Sequence, residues 1–288
     1  MRGRSRLHCR ERAGHARDEG AADGRVAPPP APVRPPPRAL VLSAGIGERL
    51  RPITLHRPKT MVPVCGFPVL EYHVVLLREL GIREIAINLH HCPEVVTAHF
   101  GDGSRWGVSI RYSREERLLG TAGAAKRLEG FLGGGTFLVV YGDQLFDYDL
   151  GPFLERHAER RAVATLGIIE GAEPTAGGIV AVGSDGRVTR FLEKPAPEQV
   201  FSTLVSAGIY AMEPQVLEAI PADAPSDFGR DILPGLIRSG LAIYAERLDG
   251  SLLSIDTLER YRATEEAVRS GALDRHPLRI GLGRARCR

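Results

Sequence analysis

From residue 39 onward, short apolar runs alternate with amphipathic stretches, and this alternation constrains the fold more than any other feature of the chain. Strands are predicted over 39–43, 84–89, 108–112, 136–141 and 163–169, and helices over 69–80, 121–128 and 149–160. Strands that alternate with helices are typical of a mostly parallel sheet sandwiched by helices, the α/β class. Shorter β segments follow over 178–182, 188–192 and 204–211, which indicates a smaller β-rich subregion.

The composition limits the class of protein. With 288 residues, 43% of them apolar and 25% charged, the chain can bury a core in one domain. It holds no run of about 18 apolar residues, so no membrane span is expected. Four scattered cysteines without a Cys-x-x-Cys pair are typical of a reducing compartment and indicate no structural zinc. The expected location is the cytoplasm.

Charge and proline set the N-terminal segment apart. Residues 1–38 hold nine arginines, four acidic residues and seven of the 21 prolines, which predicts a disordered tail. The remaining residues carry a net charge of −2 and no basic stripe interleaved with aromatics, so no nucleic-acid partner is expected. The predicted organisation is a tail over 1–38, a domain over 39–270 and a C-terminal tail over 271–288.

A glycine-rich turn follows the first predicted strand, in the sequence Leu42-Ser-Ala-Gly-Ile-Gly47, and cations follow at Arg49 and Lys59. Glycines let a backbone approach its ligand closely and point successive N–H groups at an anion. The turn lacks the Gly-Lys-Ser/Thr of a P-loop, and Leu50 stands where a dinucleotide fingerprint needs its third glycine. The segment therefore predicts a triphosphate site of another kind.

Together with Pro58-Lys59 and Pro63, the turn resembles the signature of the sugar-1-phosphate nucleotidyltransferases, and the resemblance covers roughly residues 39–270. It implies a Rossmann-like sheet with a β-rich sugar-binding subregion, a nucleoside triphosphate and a sugar-1-phosphate as substrates, and Mg2+ as cofactor. It implies catalytic roles for Arg49, Lys59 and Lys194. It also implies a nucleotide site made by Leu42, Ala44, Gly45, Gly47, Glu115, Gly120 and Thr121.

The later nucleotide motif is Leu119-Gly-Thr-Ala-Gly123, which resembles the family loop that closes over base and ribose. Ahead of it, Glu115 stands where the family places a base-reading side chain. A carboxylate there could accept from a ring N–H and an exocyclic amine together, which suits guanine. The alternatives are a helix N-terminus for the loop and a solvated acid for Glu115.

Two aspartates resemble the metal ligands of the family. Asp143 follows an apolar strand, at the sheet edge where α/β proteins bind ligands, and Mg2+ prefers one or two carboxylates. Many relatives carry the second aspartate where this chain has Ser254, whereas here the carboxylate is Asp256. Asp256 is expected to be the second ligand; the alternative is a helix N-cap.

The sugar-phosphate site is expected at Glu193-Lys194-Pro195, with Lys194 on the phosphate and Glu193 on sugar hydroxyls. Gly178 resembles a glycine whose backbone approaches the sugar, and Ser206 stands where the family usually has asparagine. The letters Asp227-Phe-Gly229 match a kinase motif, but its companion motifs are missing, so Ser226 or Asp227 is expected to cap a short helix.

The residues at the motif positions favour GTP and mannose-1-phosphate as the substrates. Heptose-1-phosphate guanylyltransferases and thymidylyl-, uridylyl- and cytidylyltransferases remain alternatives. A second class is a non-catalytic paralogue that senses nucleotide sugars, motivated by the serines at 206 and 254. A nicotinamide-dependent oxidoreductase is disfavoured, and homo-oligomerisation stays open.

Overall fold

A nine-stranded sheet forms the centre of the molecule in a computed structural model that describes residues 37–171, 173–222 and 224–282. The strands of these residues are β1 (Arg38–Leu42), β2 (Pro63–Val64), β3 (Phe67–Pro68), β4 (Glu84–Leu89), β5 (Ser109–Arg114), β6 (Phe137–Tyr141), β7 (Gln144–Phe146), β8 (Ala164–Glu170), β9 (Gly178–Val182), β10 (Val188–Glu193), β11 (Leu204–Met212), β12 (Ile243–Arg247) and β13 (Leu252–Ser254). The helices are α1 (Val69–Glu79), α2 (Pro93–Phe100), α3 (Gly120–Arg127), α4 (Glu129–Leu132), α5 (Gly151–Glu159), α6 (Gln215–Glu218), α7 (Leu233–Arg238), α8 (Leu258–Arg269) and α9 (Pro277–Leu282).

The sheet has a parallel half and a mixed half, in which β12 pairs parallel with β8. Strands β6, β1, β4 and β5 are parallel neighbours in that order. Strand β11 then pairs antiparallel with β6, β8 and β9, and β10 pairs with β9. The predicted α/β fold with a β-rich subregion is therefore confirmed. Because parallel strands end at one edge, Leu42 lies beside Asn88 on one side and Tyr141 on the other.

Apolar side chains cover both faces of the sheet. In β1, Ala39 and Val41 join one buried cluster, while Leu40 between them joins the other. Alternate residues of a strand point to opposite faces, so each cluster occupies one face. The first cluster includes residues of α1, and the second includes residues of α3 and α7. No helix of the described residues is long and apolar enough to cross a membrane.

The C-terminal boundary needs a correction. Leu273 and His276 are almost fully buried, and α9 lies against α1, where the rings of Tyr72 and His276 meet edge to face at 5.2 Å. The described part of 271–288 therefore belongs to the fold and is not a tail, because it covers apolar surface of α1. At the other end, Arg38 already belongs to β1, and the rest of the predicted N-terminal tail, up to residue 36, lies outside the described residues.

Candidate active site

A cavity of about 280 Å³ opens at the carboxyl edge of β1, β4 and β6. Its wall contains eight residues that the sequence predicts to bind nucleotide, to bind metal or to take part in catalysis. They are Leu42, Ala44, Gly45, Lys59, Glu115, Gly120, Thr121 and Asp143. Five further residues complete the wall: Thr60, Asn88, Leu118, Tyr141 and Asp227. The edge of a parallel sheet thus brings together segments that are far apart in sequence.

The glycine-rich turn packs directly on Lys59. Gly47 has a left-handed backbone with φ 69°, and a Cβ atom there would come within 3.0 Å of the Lys59 Cβ. The Thr54 hydroxyl donates to the Gly47 carbonyl at 2.7 Å and fixes the turn. A side chain at position 47 would therefore disturb the lysine that the turn supports.

Lys59 is the buried cation of the site, with 7% of its surface exposed. Its ammonium donates to Asp143 Oδ2 at 2.7 Å and also to Asp256 Oδ1. Burial lowers the pKa of Lys59, but the charges and hydrogen bonds of the two aspartates outweigh burial and raise it. For Asp256 the effects have the opposite signs: burial raises its pKa, and the charge and hydrogen bond of Lys59 outweigh burial and lower it. The cluster therefore holds one ammonium between two carboxylates.

Arginines surround the outer side of this cluster. Arg49 Nη2 lies 3.8 Å from Asp256 Oδ1, and Arg260 Nη1 lies 3.8 Å from Asp256 Oδ2. The Arg49 side chain is 70% exposed, so it can reach a ligand at the mouth of the cavity. The N-cap of α8 is Thr257, whose hydroxyl accepts from the Arg260 N–H. Asp256 is thus not the N-cap that the alternative expected.

The donor set at this point fits Mg2+. Oxygens of Asp143 and Asp256 converge on the same ammonium, and hard carboxylate oxygens are what Mg2+ prefers. Among the described residues, no group of three or more His, Cys, Asp or Glu side chains could hold a metal. An ion held by these two aspartates would take its other ligands from phosphate and water.

Glu115 is a buried carboxylate in the cavity wall. Asn88 Nδ2 donates to its Oε1 at 2.9 Å, and the Leu119 N–H donates to its Oε2 at 3.0 Å. The alternative of a solvated loop acid is therefore wrong. Sequence reasoning missed Asn88, although a polar residue near the end of a buried strand was the signal that could have found it.

The loop after Glu115 is joined to the segment around Ser226. Gly120 has φ 75°, and a Cβ atom there would overlap the Ser226 carbonyl. The Thr121 hydroxyl donates to Asp227 Oδ1 at 3.1 Å, and the Phe228 N–H donates to the Thr121 hydroxyl. Asp227 precedes a π-helical turn over Phe228–Ile232, but its side chain does not cap it. The expected capping role is corrected, because the carboxylate bonds to Thr121 in the cavity wall.

The predicted sugar-phosphate residues form a neighbouring group outside the cavity wall. Gly178 pairs with Glu193 across β9 and β10, and a Cβ atom on Gly178 would come within 2.8 Å of Glu193 Oε2. Burial raises the pKa of Glu193, although Lys194 and Arg230 oppose it. Lys194 is exposed, with φ 48°.

Ser206 connects this group to the cavity through tyrosines. The Ser206 hydroxyl lies 3.0 Å from the Tyr210 hydroxyl, and the rings of Tyr210 and Tyr141 meet edge to face at 5.8 Å. Contacting side chains therefore lead from Ser206 through Tyr210 to Tyr141 in the cavity wall. The structure brings most of the residues predicted to bind metal and nucleotide together at the cavity, whereas Gly178, Glu193, Lys194 and Ser206 lie outside its wall.

The fold matches that of a solved structure of UDP-glucose pyrophosphorylase complexed with UDP-glucose. The TM-score is 0.73 at 21% sequence identity, over 81% of this chain and 98% of that one. Fold and site together define an α/β protein whose cavity lies at the carboxyl edge of a parallel sheet.

The sequence matches the model of the nucleotidyl transferase family over residues 38–251, and the chain belongs to this family. A UTP–glucose-1-phosphate uridylyltransferase of Synechocystis is 38% identical over 78% of this chain and 61% of its own length. A mannose-1-phosphate guanylyltransferase of Mycobacterium tuberculosis is 37% identical over 70% of this chain and 56% of its own length. The chain thus spans about three fifths of the length of these relatives.

Proposed function

We propose that this protein is a sugar-1-phosphate nucleotidyltransferase, which transfers a nucleotidyl group from a nucleoside triphosphate to a sugar-1-phosphate and releases pyrophosphate. The observation that carries the proposal is Lys59 held between Asp143 and Asp256 at a cavity on the carboxyl edge of the parallel strands. The names of the relatives support the same reaction class.

In this reaction an oxygen of the sugar phosphate attacks the α-phosphorus. One P–O bond forms, the bond from the α-phosphorus to the β-phosphate oxygen breaks, and pyrophosphate carries away the electron pair. The attacking oxygen is already anionic, so the protein needs to supply alignment and charge neutralisation rather than a nucleophile. A site built of cations, carboxylates and a glycine-rich turn suits that task.

The residues divide this task by position. Asp143 and Asp256 would hold Mg2+, which supplies neutralising charge on the phosphates. Lys59 provides a buried cation at the same point, and the exposed Arg49 is placed to neutralise the leaving pyrophosphate. On the neighbouring side, Lys194 receives the sugar phosphate and Glu193 accepts from sugar hydroxyls, next to Gly178 and Ser206.

The base is guanine in this proposal, because of Glu115. A carboxylate has about four acceptor positions, and Asn88 and Leu119 occupy two of those on Glu115. Guanine offers two neighbouring N–H donors to the remaining positions, whereas uracil offers one N–H between two carbonyls that the carboxylate repels. The proposed nucleotide is therefore GTP, and the name of the guanylyltransferase relative supports mannose-1-phosphate as the sugar substrate.

One observation favours a second pair of substrates. The Synechocystis relative, at 38% identity, is named for UTP and glucose-1-phosphate. If this chain took UTP and glucose-1-phosphate, the proposed roles of Lys59, Asp143 and Asp256 would be unchanged, and only the base and the sugar would differ.

The test is pyrophosphate release with Mg2+ across the common nucleoside triphosphates and mannose-, glucose- and heptose-1-phosphates, with product masses measured. We expect release with GTP and mannose-1-phosphate, lost in Asp143→Asn and retained in the control Asp149→Asn, whose side chain is exposed. Release with UTP and glucose-1-phosphate would mean that these two compounds, rather than GTP and mannose-1-phosphate, are the substrates. Silence with every pair, while a nucleotide sugar still binds, would contradict catalysis and favour a sensing paralogue.

A further inference from the structure

Asn88 is the single asparagine of the sequence, and it is buried in the wall of the nucleotide cavity with 3% of its surface exposed. We propose that Asn88 is the positioning residue that sets base selectivity, because it holds the Glu115 carboxylate in one orientation. This inference rests on the proposed function in so far as Glu115 reads the base.

The orientation of the Asn88 amide follows from its partners. Its Oδ1 lies 2.7 Å from the backbone nitrogen of Ser43, which is a donor and therefore requires the oxygen on that side. The Nδ2 group must then face Glu115, where it donates to Oε1 at 2.9 Å. Asn88 thus joins the strand end before the glycine-rich turn to the base-reading carboxylate.

Glu115 depends on such donors because it is 4% exposed. Among the described residues, no lysine, arginine or histidine side chain forms an ion pair with it, and a buried charge without compensation is costly. The donors to its carboxylate are Asn88 and the Leu119 N–H, while His90 Nδ1 donates to its backbone carbonyl at 2.8 Å. Removing the Asn88 donor therefore leaves one carboxylate oxygen free to turn away from the base.

This role is separate from the chemical step. In the described structure the hydrogen bonds of the Asn88 side chain go to Ser43 and Glu115, whereas Lys59 bonds to Asp143 and Asp256. A change at Asn88 should therefore alter which nucleotide is bound far more than the rate at which bound nucleotide reacts.

The test uses Asn88→Asp, which has the same shape and keeps the acceptor for Ser43 but replaces the donor with an oxygen that repels Glu115. Dissociation constants for GTP and UTP are measured by calorimetry on the full chain, and kcat is measured at saturating preferred nucleotide. We expect the dissociation constant for UTP divided by that for GTP to fall about tenfold or more. This factor is the size expected for the loss of a hydrogen bond to a charged group. We expect kcat to change by a smaller factor than this ratio.

A second variant tests the same role of Asn88 if the first variant folds poorly. In the swap Asn88→Asp with Glu115→Gln, the amide at 115 can donate to the carboxylate at 88, so the hydrogen bond returns. We expect the swap to recover the free energy of unfolding but not the selectivity, and Glu115→Gln alone to lose selectivity to the same extent.

The outcomes separate the two proposals. An equal loss of affinity for both nucleotides, with the ratio unchanged, would overturn the role of Asn88 and leave it merely structural. Equal affinities in the original protein would overturn it as well. Selective binding without pyrophosphate release for any sugar phosphate would contradict the proposed function, while the binding ratios would still decide the role of Asn88.

Discussion

At the scale of single residues, the main feature of the site is a buried charge, the ammonium of Lys59. An ammonium as buried as that of Lys59 costs several kcal/mol unless partners compensate it. Asp143 and Asp256 provide that compensation from chain segments 84 and 197 residues away. Folding therefore concentrates three charges at one point, where the proposed reaction needs charge neutralisation.

Replacing Lys59 with methionine should keep the volume and remove the charge. We expect kcat to fall about 100- to 1000-fold, because losing one group that stabilises developing charge costs about 3–4 kcal/mol. Steady-state kinetics of pyrophosphate release measure it, and circular dichroism checks the fold.

The matched control is Lys126→Met, since Lys126 is another ion-paired lysine, bonded to Glu129 and to the Leu217 carbonyl away from the cavity. We expect its kcat to be unchanged. An equal fall in both variants would mean that loss of stability, rather than loss of the site cation, explains the effect.

At the scale of elements, the loop that opens α3 is held by the chain before the π-helical turn. The Ala122 and Gly123 N–H groups donate to the Ser226 carbonyl, and the Ser226 N–H donates to the Leu119 carbonyl. These bonds require close approach of two backbones, which Gly120 permits because it has no side chain and a positive φ. The geometry of the nucleotide loop thus depends on a segment about 100 residues later.

Gly120→Ala should therefore destabilise the protein by about 1–3 kcal/mol, from strain at positive φ and overlap with Ser226, and should weaken nucleotide binding. Urea unfolding and calorimetry measure these effects. Gly130→Ala is the control, because a Cβ atom there meets nothing within 4 Å. We expect the control to be neutral or slightly stabilising. Equal stabilities of the two variants would contradict the role given to Gly120.

The elements also show how far the sequence alone leads. Strands β4 and β9 have the predicted bounds, and α1 ends one residue earlier than predicted, because each carries a continuous apolar run or one apolar face. Helix α8 was not predicted, although Leu258, Tyr261 and Val268 lie at helical spacing and pack on the core, because charged residues fill most of its other positions. Strand β7 has three residues and pairs with the distant β13, a contact that local pattern does not encode.

The same reason limits what the sequence says about the site. The motifs predicted Lys59, Asp143 and Asp256 because their local spacing resembles that of a family, and the fold brings these three side chains together. Asn88 and Asp227 act through partners 27 and 106 residues away, so their roles follow only from the fold.

At the scale of the whole molecule, the residue before α9 is a buried histidine, His276, which contacts Tyr72 of α1. Burial, together with the neighbouring His73, lowers the pKa of His276 to about 3, although Asp147 opposes this shift. An unfolded histidine has a pKa near 6.5, so the unfolded state binds this proton first as pH falls. The stability from a neutral His276 is therefore present above about pH 6.5 and is lost as pH falls toward 3.

We expect the free energy of unfolding to decrease from pH 7 to pH 5, and His276→Asn to reduce that decrease by about 1–2 kcal/mol. Asparagine does not titrate and can still accept from the Leu278 N–H, as His276 Nδ1 does. Urea unfolding at the two pH values measures it. His56→Asn is the control, because His56 is exposed. A decrease that is identical in His276→Asn would contradict this linkage.

The most direct measurement of nucleotidyl transfer uses a sugar-1-phosphate labelled with 18O in its nonbridging phosphate oxygens, with the nucleotide that supports turnover. Phosphorus NMR then locates the label. Attack on the α-phosphorus places one 18O between the two phosphorus atoms of the nucleotide sugar and none in the released pyrophosphate, and this is the expected result. Label in pyrophosphate, or a product without a labelled bridge, would contradict the reaction assigned to Lys59, Asp143 and Asp256.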